Sequence, residues 1–153
     1  MTKLAEGQKA PFFEGTDQEG NTISMNDFKG KKIVLYFYPK DNTPGCTSEA
    51  CDLRDNYESL TGKGYEVVGV SGDSEASHKK FAGKYNLPFP LIADTDRKIM
   101  TDYGTFGEKK MYGKTFLGIK RTTFIIDEQG IIEKIIGKVD TKQHTSQIFS
   151  LYK

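Results

Sequence analysis

The sequence is poor in cysteine and histidine, with two of each among 153 residues. Two cysteines cannot build the disulfide framework of a small secreted scaffold. They also fall short of a structural zinc site unless both histidines join them. His78 and His144 stand far apart, in polar segments, without ligand spacing. No metal site is expected. Long apolar runs are missing as well. The longest strictly apolar stretch is Ile33 to Tyr38, well short of the roughly 20 residues a membrane helix needs. The segment Met1 to Pro11 carries Lys3, Glu6 and Lys9 and lacks the apolar centre of a secretory signal, so the cytoplasm is the expected compartment. Neither charge sign dominates: the formal net charge is +1. No long Lys/Arg run offers nucleic acid a track. The small cluster of Lys109, Lys110 and Lys114 reads as a solvated loop in preference to an anion site. Internal repeats and low-complexity segments are absent.

What remains fits a folded, soluble chain. Hydrophobic residues make up 36% and charged residues 28%, which is too apolar for disorder. The length suits one domain, residues 1–153, around one core. The segment Asp17 to Asn21 reads as a turn between two short strands. Ile33 to Tyr38 reads as a strand buried on both faces, ended by Pro39. A helical pattern then runs to about Leu60, with Ala50, Leu53, Tyr57 and Leu60 on one face and Gly62 and Gly64 closing it.

Tyr65 to Ser71 reads as a second buried strand and Glu75 to Tyr85 as a helix with Phe81 and Tyr85 on one face. Phe89 to Ala93 is a short strand and Arg97 to Tyr103 a short helix. Gly104 to Gly118 reads as a glycine-rich loop without a clear period. Its Phe106, Met111, Tyr112 and Phe116 are expected to cover the core or line a pocket mouth. A hairpin of Thr122–Ile126 and Ile131–Ile136 follows. A last helix starts at Asp140, with Ile148, Phe149 and Leu151 toward the core. This order predicts an α/β fold: a mixed central sheet flanked by helices, with right-handed parallel crossovers in its first half. Chemistry in such sheets sits beyond the carboxyl ends of the strands. The loop after Tyr38 lies at such an end, and the first cysteine lies in that loop.

In Pro39-Lys40-Asp41-Asn42-Thr43-Pro44-Gly45-Cys46, Thr43 suits a helix N-cap and Pro44 the first helical position. Cys46 then falls in the first turn, where free backbone N–H groups and the helix dipole favour negative charge. Both effects favour thiolate over thiol, and the thiolate is the nucleophile. The plainer reading is a cysteine acting as a small hydrophobe at an ordinary helix start. Cys51 bears on the choice. Five residues along an intact helix separate Cα atoms by roughly 8–9 Å, whereas a disulfide needs about 7 Å or less. The pair can close only if the first turns unwind. The spacing is also not the C-x-x-C of a ready-made disulfide exchange site.

The run Pro39…Thr43…Cys46 resembles the peroxiredoxin signature P-x-x-x-T-x-x-C. The block Pro39 to Asp55 (PKDNTPGCTSEACDLRD) is similar to the bacterioferritin comigratory protein or Q-type branch. The similarity continues at Gly107-Glu108-Lys109-Lys110, Gly113-Lys114-Thr115 and Arg121 to Asp127, with Phe106 where a Trp is often seen. The ending after Val139 is the least family-like part.

The resemblance implies a thioredoxin-like fold with an N-terminal hairpin extension and a peroxidase reaction. Cys46 would attack the hydroperoxide and become a sulfenic acid. Cys51 would resolve it as a disulfide, and thioredoxin or a similar dithiol would restore both thiols. It further implies that Arg121 holds thiolate and peroxide, that the Thr43 hydroxyl and the Cys46 N–H donate to the leaving oxygen, and that Pro39 shapes the pocket and shields the sulfur. Glu49, one turn past Cys46, would orient Arg121 or stand as a solvated carboxylate on the helix face. The branch leans to a monomer, and sulfur chemistry needs no cofactor. Nothing in the sequence reads as a haem, flavin or nucleotide site, and no G-x-x-x-x-G-K-[ST] phosphate loop is present. A disulfide oxidoreductase and a non-catalytic redox sensor are the competing readings. Turnover with a reductant separates the sensor, which stops after one equivalent of peroxide.

Overall fold

The computed structural model describes residues 2–152, with the backbone alone for residue 111. Strands β1 (Glu14–Thr16) and β2 (Thr22–Ser24) form the expected N-terminal hairpin. Its turn is held by Asp17, whose Oδ1 accepts the N–H groups of Glu19 and Asn21. The central sheet contains β3 (Lys32–Phe37), β4 (Tyr65–Ser71), β5 (Leu91–Ala93), β8 (Thr122–Ile126) and β9 (Ile132–Ile136), in the order β5-β4-β3-β8-β9. The pairs β3–β4 and β4–β5 are parallel, and β3–β8 and β8–β9 are antiparallel. The sheet is therefore mixed.

Two apolar layers cover its faces, and β3 shows why its sequence is apolar throughout. Val34, Tyr36 and the following Tyr38 enter one layer with Ala50, Leu53, Phe81 and Ile148. Ile33, Leu35 and Phe37 enter the other with Ile99, Met100, Tyr103 and Phe124. Alternate residues point to opposite faces, so a strand covered on both sides keeps no polar position. The first layer is roofed by α1 (Pro44–Asp55), α2 (Tyr57–Gly62), α3 (Glu75–Tyr85) and α5 (His144–Ser150). The second is covered by α4 (Lys98–Asp102) and by the chain around Ala10 and Phe13. Gly69 is required in β4, because a Cβ there would stand 2.9 Å from the Tyr36 ring. No helix among the described residues is long and apolar enough to cross a membrane.

Several elements differ from the sequence reading. The helix expected to run to Leu60 breaks at Asn56, whose φ and ψ of −110° and 12° leave the helical region. The Asn56 side-chain amide donates to the Asp52 carbonyl, competing with the helix for its own acceptor. The glycine-rich loop is in fact a hairpin of β6 (Phe106–Met111) and β7 (Lys114–Ile119). Its turn, Tyr112-Gly113, has φ of 54° and 75°, and positive φ at both central positions marks the turn that suits hairpin twist. Phe106 packs on the second layer, whereas Tyr112 and Phe116 are exposed and do not cover the core. The Met111 side chain lies outside the described residues. Lys109, Lys110 and Lys114 sit on this hairpin, and Lys109 Nζ donates to the Ile119 carbonyl. The last helix begins at His144 and not at Asp140, because the Asp140 carboxylate takes the N–H groups of Lys142 and Gln143 in a turn. Ile148 is buried and Phe149 packs beside it, but Leu151 is exposed.

Candidate active site

Past the end of β3 the chain turns through Pro39 to Asn42, where Asn42 has φ 58°. This left-handed position suits asparagine, whose short polar side chain tolerates it. Thr43 then occupies the N-cap of α1 in extended geometry, with Pro44 at the first helical position. The Thr43 side chain makes no capping bond. Its hydroxyl donates to the Lys40 carbonyl at 2.9 Å instead. The Thr43 proton is therefore spoken for, and its oxygen is left as an acceptor.

Cys46 lies in the first turn of α1, where backbone N–H groups lack intrahelical partners. It is 1% exposed, packed in the layer that holds Tyr36, Tyr38 and Ala50. Pro39, by contrast, is exposed. Both cysteines are free thiols. Cys51 is half-buried on the same unbroken helix, so the geometry that forbids a direct disulfide is the geometry present.

Arg121 reaches this turn from the residue just before β8. Its NH2 group donates to Cys46 Sγ at 3.4 Å, and NH1 donates to Glu49 Oε1 at 2.7 Å. Gly45 leaves the room, since a Cβ there would lie 3.1 Å from that NH2. Burial opposes the Arg121 charge, but the neighbouring Cys46 and Glu49 outweigh it and raise its pKa further.

Glu49 is fully buried, so it is not a solvated helix-face carboxylate. Burial pushes its carboxyl up to about 7, against the pull of the Arg121 charge and hydrogen bond. This has a stability consequence. Well below the ordinary value of 4.5 the carboxyl is neutral in folded and unfolded chains alike. Between 4.5 and about 7 the unfolded chain ionises first, so stability falls by roughly 3 kcal/mol as pH rises through that window. Glu49→Gln should lack this slope. Urea unfolding at about pH 4 and about pH 8 should shift the difference between wild type and variant by roughly 3 kcal/mol in the variant's favour. An unchanged difference would contradict it.

The two histidines are buried, although they come from polar stretches. His78 Nδ1 lies 2.7 Å from Asp41 Oδ2, and Nε2 lies 2.9 Å from the Ile92 carbonyl. The donor atoms of Asp41, Asp73 and His78 converge in the one cluster with metal-like spacing among the described residues. They are already engaged: Tyr38 and Ser77 donate to Asp41, and Ser71 and the Asp41 N–H donate to Asp73. The cluster acts as a hydrogen-bonded brace between the loop before α1 and the start of α3. Sequence reading missed both this brace and the place of His144 beside Glu49, 3.6 Å from Oε2.

Residues 6–135 match the model of the AhpC/TSA family. A Coxiella burnetii relative provisionally named peroxiredoxin Bcp is 48% identical over 142 residues, covering 93% of this chain and 94% of its own. The peroxiredoxin Bcp of Bacillus subtilis is 46% identical over 147 residues, covering 96% and 94%. Among solved structures, the Xanthomonas campestris bacterioferritin comigratory protein, described for alkyl peroxide reduction, superposes with a TM-score of 0.88 at 32% identity, covering 96% of each chain. The chain belongs to the AhpC/TSA family, in the Bcp or Q branch of the peroxiredoxins, and its class is peroxidase. Its fold is thioredoxin-like, as the resemblance implied.

Proposed function

We propose that Cys46 is the peroxidatic sulfur and Cys51 the resolving one, in a cycle driven by a dithiol reductant of the thioredoxin kind. The observation that carries this reading is the Arg121 guanidinium, which donates at 3.4 Å to a buried sulfur in the first turn of a helix. A hydroperoxide entering there meets a sulfur with a fixed cation beside it. The Cys46 thiolate attacks the terminal oxygen. A sulfur–oxygen bond forms, the O–O bond breaks, and the leaving oxygen departs as alkoxide or hydroxide and takes a proton. Sulfur loses two electrons and becomes a sulfenic acid. Arg121 and the free N–H groups of the first turn stabilise the negative charge as it moves to the leaving oxygen. The Thr43 oxygen, with its own proton on Lys40, accepts the hydroperoxide O–H and fixes its direction. Pro39 would shape the peroxide pocket and shield the sulfur from water. Hydrogen peroxide and organic hydroperoxides both supply the required bond, and the alkyl peroxide activity described for the Xanthomonas campestris relative favours the wider range.

Resolution then requires movement. The Cys51 thiol attacks the sulfenic sulfur and expels water, which needs the first turns of α1 to unwind. Both thiols lie on one chain, so a monomer completes the cycle.

Cys51→Ser should leave the first oxidation by one equivalent of peroxide at its wild-type rate. It should slow steady turnover with thioredoxin severely. Stopped-flow oxidation and a coupled turnover assay check the two halves. Unchanged turnover would show that a thiol of the donor resolves Cys46. Wild-type arrest after a single equivalent, with reductant present, would make the chain a sensor.

A further inference from the structure

Helix α1 is tied unevenly to its surroundings. Ahead of it, Asp41 accepts the hydroxyl protons of Tyr38 at 2.6 Å and Ser77 at 2.8 Å, and its N–H donates to Asp73 at 2.8 Å. Asn42 accepts the Tyr85 hydroxyl at 3.2 Å. The far end of the helix is held as well. Asp52 Oδ2 accepts the Thr145 N–H of α5 at 2.7 Å, and Arg54 NH1 donates at 2.7 Å to the carbonyl of Tyr85, the last residue of α3. Between these anchors the ties are few. Thr43 makes a local bond to Lys40. Every other hydrogen bond from residues 43–51 to chain outside α1, among the described residues, goes to Arg121. The buried side chains of this stretch are Cys46, Glu49 and Ala50, and the first bulky apolar one along α1 is Leu53. Unwinding residues 43–51 therefore exposes little apolar surface, whereas unwinding past Asp52 uncovers Leu53.

We propose that Asp52 and Arg54 are positioning residues for the resolving step: they hold α1 from Asp52 onward while the turns ahead unwind and carry Cys46 to Cys51. The inference rests on Cys46 and Cys51 forming the disulfide. A sulfenic acid places an oxygen on the sulfur that Arg121 touches at 3.4 Å, so oxidation disturbs one of the two side-chain contacts that hold these turns. The chain between the anchors is long enough. A helical residue advances roughly 1.5 Å and an extended one about 3.3 Å. Once unwound, the stretch has slack between its fixed ends for the two Cα atoms to come within the disulfide limit of about 7 Å. Cys51, next to the fixed Asp52, keeps its thiol at high local concentration for the sulfenic sulfur. Without the anchors, unwinding would spread along α1 and dilute that thiol.

The test is amide hydrogen exchange on the full chain, reduced and after one equivalent of hydrogen peroxide. Thr145 stands in the first turn of α5, where an N–H has no intrahelical partner, so its protection reports the Asp52 bond. The Asn56 N–H reports the same residue through its bond to the Asp52 carbonyl. In the disulfide form residues 47–51 should exchange freely, while Thr145 and Asn56 should keep the protection of the reduced form. Loss of protection at Thr145 on disulfide formation would overturn the proposal. Rates give a second check. Asp52→Ala should slow disulfide closure about tenfold, the effect of losing one charge-assisted hydrogen bond, and leave the first oxidation unchanged. Arg54→Met should slow closure in the same direction. Asp52→Asn keeps an acceptor for the Thr145 N–H and should close near the wild-type rate. Unchanged closure in Asp52→Ala and Arg54→Met would overturn the proposal, and so would an equal loss in closure and first oxidation, the mark of a merely structural role. Wild type left with Cys46 oxidised and Cys51 still a thiol would reject the reading beneath it.

Discussion

Cys46→Ser is expected to abolish peroxide reduction while leaving the protein folded. Serine fills nearly the same volume, and the surrounding layer of Tyr36, Tyr38 and Ala50 makes no other demand on the sulfur. The hydroxyl, however, does not ionise near neutral pH, and an oxygen cannot take up a second oxygen as sulfur does. Cys51 cannot stand in. It is half-buried one and a half turns along α1, and the Arg121 hydrogen bond goes to Cys46. Peroxide consumption at saturating reductant should drop to the uncatalysed background, with an unchanged melting temperature. Retained consumption would remove the assignment of the nucleophile.

Arg121→Gln should cost about 10²- to 10³-fold in the rate of the first oxidation, the usual loss when one charge-stabilising donor is removed. It should also destabilise the fold. Glu49 would lose the partner at 2.7 Å that lowers its pKa, and breaking one side of a buried pair costs about 3 kcal/mol or more. The carboxyl would answer by taking a proton, so the penalty should shrink as pH falls. The two effects separate in the double variant Arg121→Gln/Glu49→Gln. Two neutral amides should restore most of the stability measured by urea unfolding, and none of the rate. A double variant that recovered both would mean that Arg121 acts through packing rather than charge.

These residues were unequally legible in the sequence. Tyr65–Ser71 and Glu75–Tyr85 could be bounded at both ends, because each is a run of one period flanked by turn or capping residues. The place of Cys46 followed from Thr43 and Pro44, which mark a helix start by local rules. The β6–β7 hairpin was hidden because most of β7 is exposed and shows no alternation. Its signal was the Tyr112-Gly113 turn. Glu49 illustrates a different limit. On α1 it reads like any helix-face carboxylate, and its burial depends on an arginine 72 residues away in sequence. His144 was illegible for the same reason. Its segment is polar, and only the docking of α5 against α1 and β8 closes it off. The partner of the Thr43 hydroxyl was illegible because only the turn of the loop brings the Lys40 carbonyl within its reach.

The central claim is that Cys46 reacts and Cys51 closes the disulfide. The most direct test mixes the reduced protein with one equivalent of hydrogen peroxide in a stopped-flow instrument and then measures the intact mass. The account predicts fast loss of both thiols and a product two hydrogen atoms lighter than the reduced chain. A reaction no faster than that of a free thiol would contradict it.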